Sequence, residues 1–405
     1  MSKKQKKTEP KITPTKHQLS KWQRQKKVSR IIIIAAAVFL GGILAYVGQG
    51  YYHSNIKPFR ETVIQVNDSS FDMGYYVDML DAQTKRMEPN QFYAQYVTTQ
   101  IEQIELIKQG ANDMGIEISK KEVDAKIKEL DLPNSKIYQD LVTSELTREK
   151  LLDYFTYTLP AEMEQAHIEI MPVESQEVAH NVVSQLEAGE DFKALQEEFS
   201  CSPNEKGDQG WLPAELMPSA IGDIFASLKS GEITNVRDKE ITKNVGYWLI
   251  KVTREDEEKG IFAYAMLLPS KEEAIEVRDK LEAGGDFSEL AKEYSQHESK
   301  DNGGELGWIK EGDMNSKVFD DIAFKLKLDE VSEPIKDESV STNDGYWVIK
   351  VLDKGQHGLN DKVKESLAKK EFSQWLLAQK ESSTINDYLD QEKISWAILK
   401  VMQRR

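Results

Sequence analysis

Leu281-Glu282-Ala283-Gly284-Gly285-Asp286-Phe287 has a near copy upstream, Leu186-Glu187-Ala188-Gly189-Glu190-Asp191-Phe192, and this pair decides the reading of the fold. Two further motifs recur. Gly210-Trp211 returns as Gly307-Trp308, and Gly246-Tyr247-Trp248 as Gly345-Tyr346-Trp347. The three offsets are 95, 97 and 99 residues. That period is too long for a solenoid repeat and suits a small domain in tandem. The first repeat spans about 161–256 and the second about 257–355.

Each repeat opens with a short apolar stretch, Ala166–Met171 or Phe262–Leu268. Two helical segments follow, then a glycine-rich turn and the Gly-Trp strand. Each closes on an alternating strand, Tyr247–Val252 or Tyr346–Val351. A strand, helices and then strands predict an α+β domain, a small antiparallel sheet covered by helices.

Outward from the repeats, residues 57–160 read as helical after an extended start at Val63–Val66. Tyr93, Val97, Ile101, Ile104 and Ile107 form one apolar face. Ser119-Lys120-Lys121-Glu122 has the form of a capping box. Residues 359–380 read as an amphipathic helix with Leu359, Val363, Leu367, Phe372 and Leu376 as its stripe. The expectation is that 357–405 docks on the 57–160 helical region, with Ile394–Val401 as a closing strand.

Ile31–Val47 is seventeen residues without a charge, and extension to Gly50 brings it to a membrane-spanning length. Eleven Lys or Arg against one acid in residues 1–30 place this tail in the cytoplasm by the positive-inside rule. Residues after about 52 are then extracytoplasmic. The alternative, a cleaved signal peptide, lacks an A-x-A pattern after the run. The net charge is −16 despite the basic tail, so the body is strongly acidic, which argues against nucleic-acid binding. The one cysteine, Cys201, and six scattered histidines predict no metal site and no cofactor.

The repeats resemble parvulin-type peptidyl-prolyl isomerase domains. The second copy carries the fuller text: LEAGGDFSELAKEYS (281–295), NGGELGW (302–308), EGDM (311–314), IAFKLKLDEVSEPIK (322–336) and GYWVIKV (345–351). Residues 57–160 with 357–405 resemble the split helical module of SurA- and PrsA-type extracytoplasmic foldases. The resemblance implies prolyl isomerisation and the holding of unfolded or proline-containing exported polypeptides. Oligomeric state is left open.

The family's pocket is an apolar floor of Met and Phe flanked by two histidines and a Cys or Asp. Carried onto the first repeat, His167 takes the first histidine position and Cys201 the Cys/Asp position, the two candidate catalytic residues. Met217 and Ile221 take the floor, and Trp248 stands where the second histidine would be. In the second repeat, Met314, Phe319 and Phe324 take the floor, Ala265 and Trp347 the histidine positions, and His297 the Cys/Asp position. Neither copy holds the full set. The first repeat is expected to carry activity and the second mainly to bind. A non-catalytic holdase or a cell-envelope scaffold is the alternative.

Overall fold

The computed structural model describes residues 38–43, 45–202 and 206–405. The basic tail lies outside the described residues, as does much of the expected anchor. Its described parts, 38–43 and 45–51, are helical. Among the described residues no helix is long and apolar enough to cross a membrane. The chain divides into two compact units, one of residues up to Phe155 plus Glu371–Arg405, the other Thr156–Lys370.

In the first unit a three-stranded antiparallel sheet forms from Ser69–Asp72, Thr62–Val66 and Ile385–Asp387, with Thr62–Val66 in the middle. The helices Met73–Gln83, Gln91–Asp113 and Gln391–Gln403 pack against it around Val63, Tyr76, Leu80, Val97 and Ile101. Val97, Ile101 and Ile104 are buried, as their helical spacing predicts. Ser119 caps Lys120–Glu129, with the reciprocal bond from the Ser119 N–H to the Glu122 carboxylate. Gly110 has no room for a side chain, because a carbon there would lie 2.6 Å from the Trp375 ring. Ile394–Val401 belongs to a helix, not a strand. Ala397 and Val401 are buried one turn apart, and the apolar run that suggests a strand is the inner stripe of that helix. The closing strand is the short Ile385–Asp387 instead.

The second unit holds two four-stranded antiparallel sheets. One runs Asp208–Leu212, Glu162–Val173, Thr342–Gly358, Ile233–Lys243. The other runs Glu305–Ile309, Gly260–Leu268, Gly246–Asp256, Ile335–Asp337. The repeats at 161–256 and 257–355 therefore do not each close a sheet. The Gly-Tyr-Trp strands are exchanged: 246–256 pairs with second-repeat strands and 342–358 with first-repeat strands. Residues 246–337 form one domain inserted into another made of 162–243 and 342–358.

Each sheet has two apolar faces. In the first domain Ala166, Ile168, Ile170, Trp347, Ile349 and Val351 face the short helix Ser219–Ile224, and Met171, Val173 and Val348 face the helices Gln176–Glu187 and Phe192–Phe199. The second domain repeats this arrangement.

Candidate functional site

The exchange redistributes the candidate residues. In the first domain Met217 and Ile221 pack with Trp347, and Cys201 lies partly buried against the same cluster. In the second, Trp248 packs with Phe319, Met314 and Phe324. Each tryptophan thus sits with the floor residues of the other repeat. Strand Tyr247–Val252 matches Tyr346–Val351 so closely that sequence cannot tell which sheet each joins.

Both indoles are tied in the same way. Trp347 Nε1 donates to Asp238 Oδ2 at 2.9 Å, and Trp248 Nε1 donates to Asp337 Oδ2 at 3.0 Å. Asp337 also accepts from the Ser316 and Ser339 hydroxyls. Burial alone would raise the Asp337 carboxyl, but these donors hold it below the usual carboxylate range. Sequence reasoning missed both aspartates. The available signal was their separation, the same 99 residues that divides the two Gly-Tyr-Trp motifs.

His167 does not join Met217, Ile221 and Cys201. Its neighbours Ala166 and Ile168 face that cluster, so alternation along the strand turns His167 to the opposite face. There its Nε2 lies 2.8 Å from Asp208 Oδ1, beside the Trp211 ring. The strand register explains the difference from expectation. Tyr346 pairs with Val173 and Tyr247 with Leu268, so Ala265 corresponds to Ile170, three residues beyond His167. Ile170 and Ala265 both lie on the floor-facing side. The two histidine positions are therefore apolar in both copies, Ile170 with Trp347 and Ala265 with Trp248.

A second shift concerns the Cys/Asp position. The Cys201 N–H donates to Pro172 O, as the Gln296 N–H donates to Leu267 O. Gln296 thus corresponds to Cys201, and His297 stands one residue further along.

An open cleft among these residues lies in the second domain. It encloses about 580 Å³, lined by His297, Glu305, Leu306, Ile309, Asp313 and Met314 among others. His297 is half-buried, its ring edge-on to Trp248 at 5.3 Å between centroids. The Ser299 backbone N–H donates to His297 Nδ1 at 3.2 Å, which places the proton of the neutral ring on Nε2. Burial pushes the imidazole below its ordinary pKa, against an opposing pull from Glu298, and so favours the neutral ring. Met314 is partly exposed at the cleft, whereas Phe319 is fully buried beneath it. In the first domain Met217 and Ile221 are buried core. Among the described residues no group of three or more His, Cys, Asp or Glu is placed to hold a metal ion.

The arrangement offers an apolar floor, a neutral imidazole N–H and a carboxylate rim. It contains no nucleophile–base pair, and suits binding with oriented hydrogen bonds.

Residues 164–254 and 268–353 match the Rotamase family, the PPIC-type PPIASE domain. The foldase protein PrsA of Geobacillus kaustophilus (strain HTA426) is 45% identical over 147 residues, covering 36% of this chain and 47% of that protein. The chaperone SurA of Methylobacillus flagellatus (strain ATCC 51484 / DSM 6875 / VKM B-1610 / KT) is 27% identical over 300 residues, covering 68% of this chain and 63% of that one. The chain thus spans about half the length of the first relative and under two thirds of the second. A crystal structure of PrsA from Bacillus subtilis aligns over 85% of this chain and 93% of its own at 18% identity, with a TM-score of 0.18. Residues 164–254 and 268–353 are thus two PPIC-type domains following one another in the sequence, in a chain homologous to the PrsA and SurA foldases.

Proposed function

We propose that this chain is a membrane-anchored extracytoplasmic foldase. Its second PPIC-type domain grips proline-containing segments of exported polypeptides and speeds their cis–trans isomerisation. Residues 31–50 are the anchor, residues 57–160 with the C-terminal segment form the helical chaperone module, and the two PPIC-type domains face the exterior. The observation that carries the reading is the open cleft beside His297, whose floor is Met314, Leu306 and Ile309.

Rotation about a peptide bond faces a barrier of about 18–20 kcal/mol. At X-Pro it takes tens to hundreds of seconds without a catalyst. No covalent bond breaks, so binding the twisted amide more tightly than either planar form is sufficient. The apolar floor holds the pyrrolidine ring. The His297 Nε2–H is the available donor for an amide whose conjugation is lost.

A protease-coupled proline-peptide assay on the full chain tests this. Acceleration above background is expected, reduced about tenfold or more by Met314→Ala and by His297→Ala, and unchanged by His167→Ala. No acceleration would end the catalytic reading.

One observation favours a second reading. Tryptophan stands at the second histidine position in both copies, and Ile170 and Ala265 at the first. A holdase that binds client without catalysis fits these substitutions. It would suppress aggregation of an unfolded client while leaving proline isomerisation at the background rate.

A further inference from the structure

The exchanged strands differ at one position in six, Leu249 against Val348. This stretch does not choose the sheet; the residues beyond it and the connections do. Asp353–Gly358 pairs with Glu162–His167, and the Lys354 ammonium donates to the carbonyls of Phe225 and Leu228 in the first domain.

Three short connections matter. Glu257-Glu258-Lys259 links the exchanged strand to Gly260–Leu268 as a tight hairpin. It is well encoded: the Asp256 carboxylate accepts from the backbone N–H groups of Glu258 and Lys259, and Gly260 takes φ +90. A side-chain carbon at Gly260 would collide with the carbonyl of Ile309. The second connection, Asn244-Val245, crosses between the domains. If strand 246–256 folded back on 233–243 in the register that Gly345 and Asp238 set, Gly246 would face Asp238 and residues 239–245 would become the loop, although Thr242 and Lys243 now pair with Asn343 and Thr342. Val245 is instead buried, and its carbonyl accepts from the Thr342 hydroxyl. The third connection, 338–341, returns beside the second. The Gln296 side-chain amide of the inserted domain donates to the Asn343 carbonyl, and its Oε1 accepts from the Asn343 backbone N–H.

We propose that the Glu257–Lys259 turn commits strand 246–256 to the second sheet and so enforces a reciprocal strand exchange, in which Trp248, written in the first repeat, is a positioning residue of the second cleft. A three-residue turn holds the two strands it joins as neighbours in one sheet. Trp248 acts through His297: its ring supports the imidazole edge-on, and its own orientation is fixed by the indole N–H donating to Asp337. Only the role given to Trp248 rests on the cleft being the client site. The exchange itself stands apart from any activity.

The test uses the full chain with Cys201→Ser, so that no native thiol interferes. Lys350 and Glu169 are directly paired across the exchanged strands, with an ion pair of 3.0 Å. By the repeat offset, Lys251 would face Glu169 if each strand stayed in its own repeat. Opposed residues on antiparallel strands lie within disulfide reach. Oxidation should therefore cross-link Lys350→Cys with Glu169→Cys and not Lys251→Cys with Glu169→Cys. The reverse pattern would overturn the exchange.

Two further arms do not depend on cross-linking. Trp248→Phe should move the NMR signals of the His297 ring while Trp347→Phe leaves them in place, and the opposite result would overturn the assignment of Trp248. Inserting eight Gly/Ser residues after Glu258 should bring up the Lys251–Glu169 cross-link. An exchanged pattern unchanged by that insertion would overturn the role given to the turn.

Discussion

At Trp248 and Trp347 a large apolar ring and one polar atom are buried together, and each indole N–H is matched to an aspartate. Trp248 is nearly fully buried, so its removal opens a cavity and strips a donor from Asp337. Trp248→Ala should destabilise the second unit by about 3–5 kcal/mol in chemical denaturation. Asp337→Ala leaves the indole N–H and the Ser316 hydroxyl unmatched and should cost about 1–3 kcal/mol. Acidification should also destabilise the domain, through His297. Its folded pKa lies below the ordinary imidazole value of about 6.5, so above that value the ring is neutral in both states and costs nothing. As pH falls below about 6.5 the unfolded chain binds the proton first, and stability declines until the folded ring also protonates. Unfolding midpoints measured between pH 5 and 7.5 should fall toward acid. His297→Asn should flatten that slope. The residue scale is also where the sequence reading slipped. A histidine beside an apolar stretch matches the family's text three residues out of register, and one step along a strand reverses the face.

At the element scale, most of the secondary structure was legible because its signals are local. The capping box at Ser119 is present with both of its bonds. Ser119→Ala should cost about 1 kcal/mol, read as loss of helicity or of the unfolding midpoint. Ser175 and Ser270 cap the first helices of the two domains in matching fashion, as duplicated text should. The helix at Gln391–Gln403 was misread because its apolar residues run nearly continuously, and a short apolar run does not separate strand from helix by period alone. The turn at Glu257–Lys259 is the element with the largest consequence. Its aspartate and glycine were visible in the sequence, yet the boundary between the two repeats falls at this turn, which is a hairpin within one domain.

For the whole molecule, the exchange predicts how the chain tolerates dissection. Deleting 257–355, the second repeat as written, removes the strand that lies between Glu162–Val173 and Ile233–Lys243. Strand 246–256 is then free to take its place but lacks residues 353–355 of the 353–358 extension that pairs with 162–167, so this version should unfold at clearly lower denaturant than the next one. Deleting 246–337 and joining Lys243 to Thr342 through a short Gly-rich loop keeps all four strands of the first sheet, and should leave a folded domain. Equal behaviour of the two deletions would contradict the exchange.

Side-chain period, caps and motifs within a few residues of each other were enough to establish from the sequence that a small α+β domain is present twice, where most helices and strands lie, and which family the text resembles. Only the tertiary structure decided which Gly-Tyr-Trp strand completes which sheet, and with it which tryptophan backs which cleft and which face His167 takes. The reason is near-identity over six residues. Tyr247–Val252 and Tyr346–Val351 are almost the same, so the choice falls to a three-residue turn and to the unlike residues 353–358, whose effect appears only when the whole chain is closed.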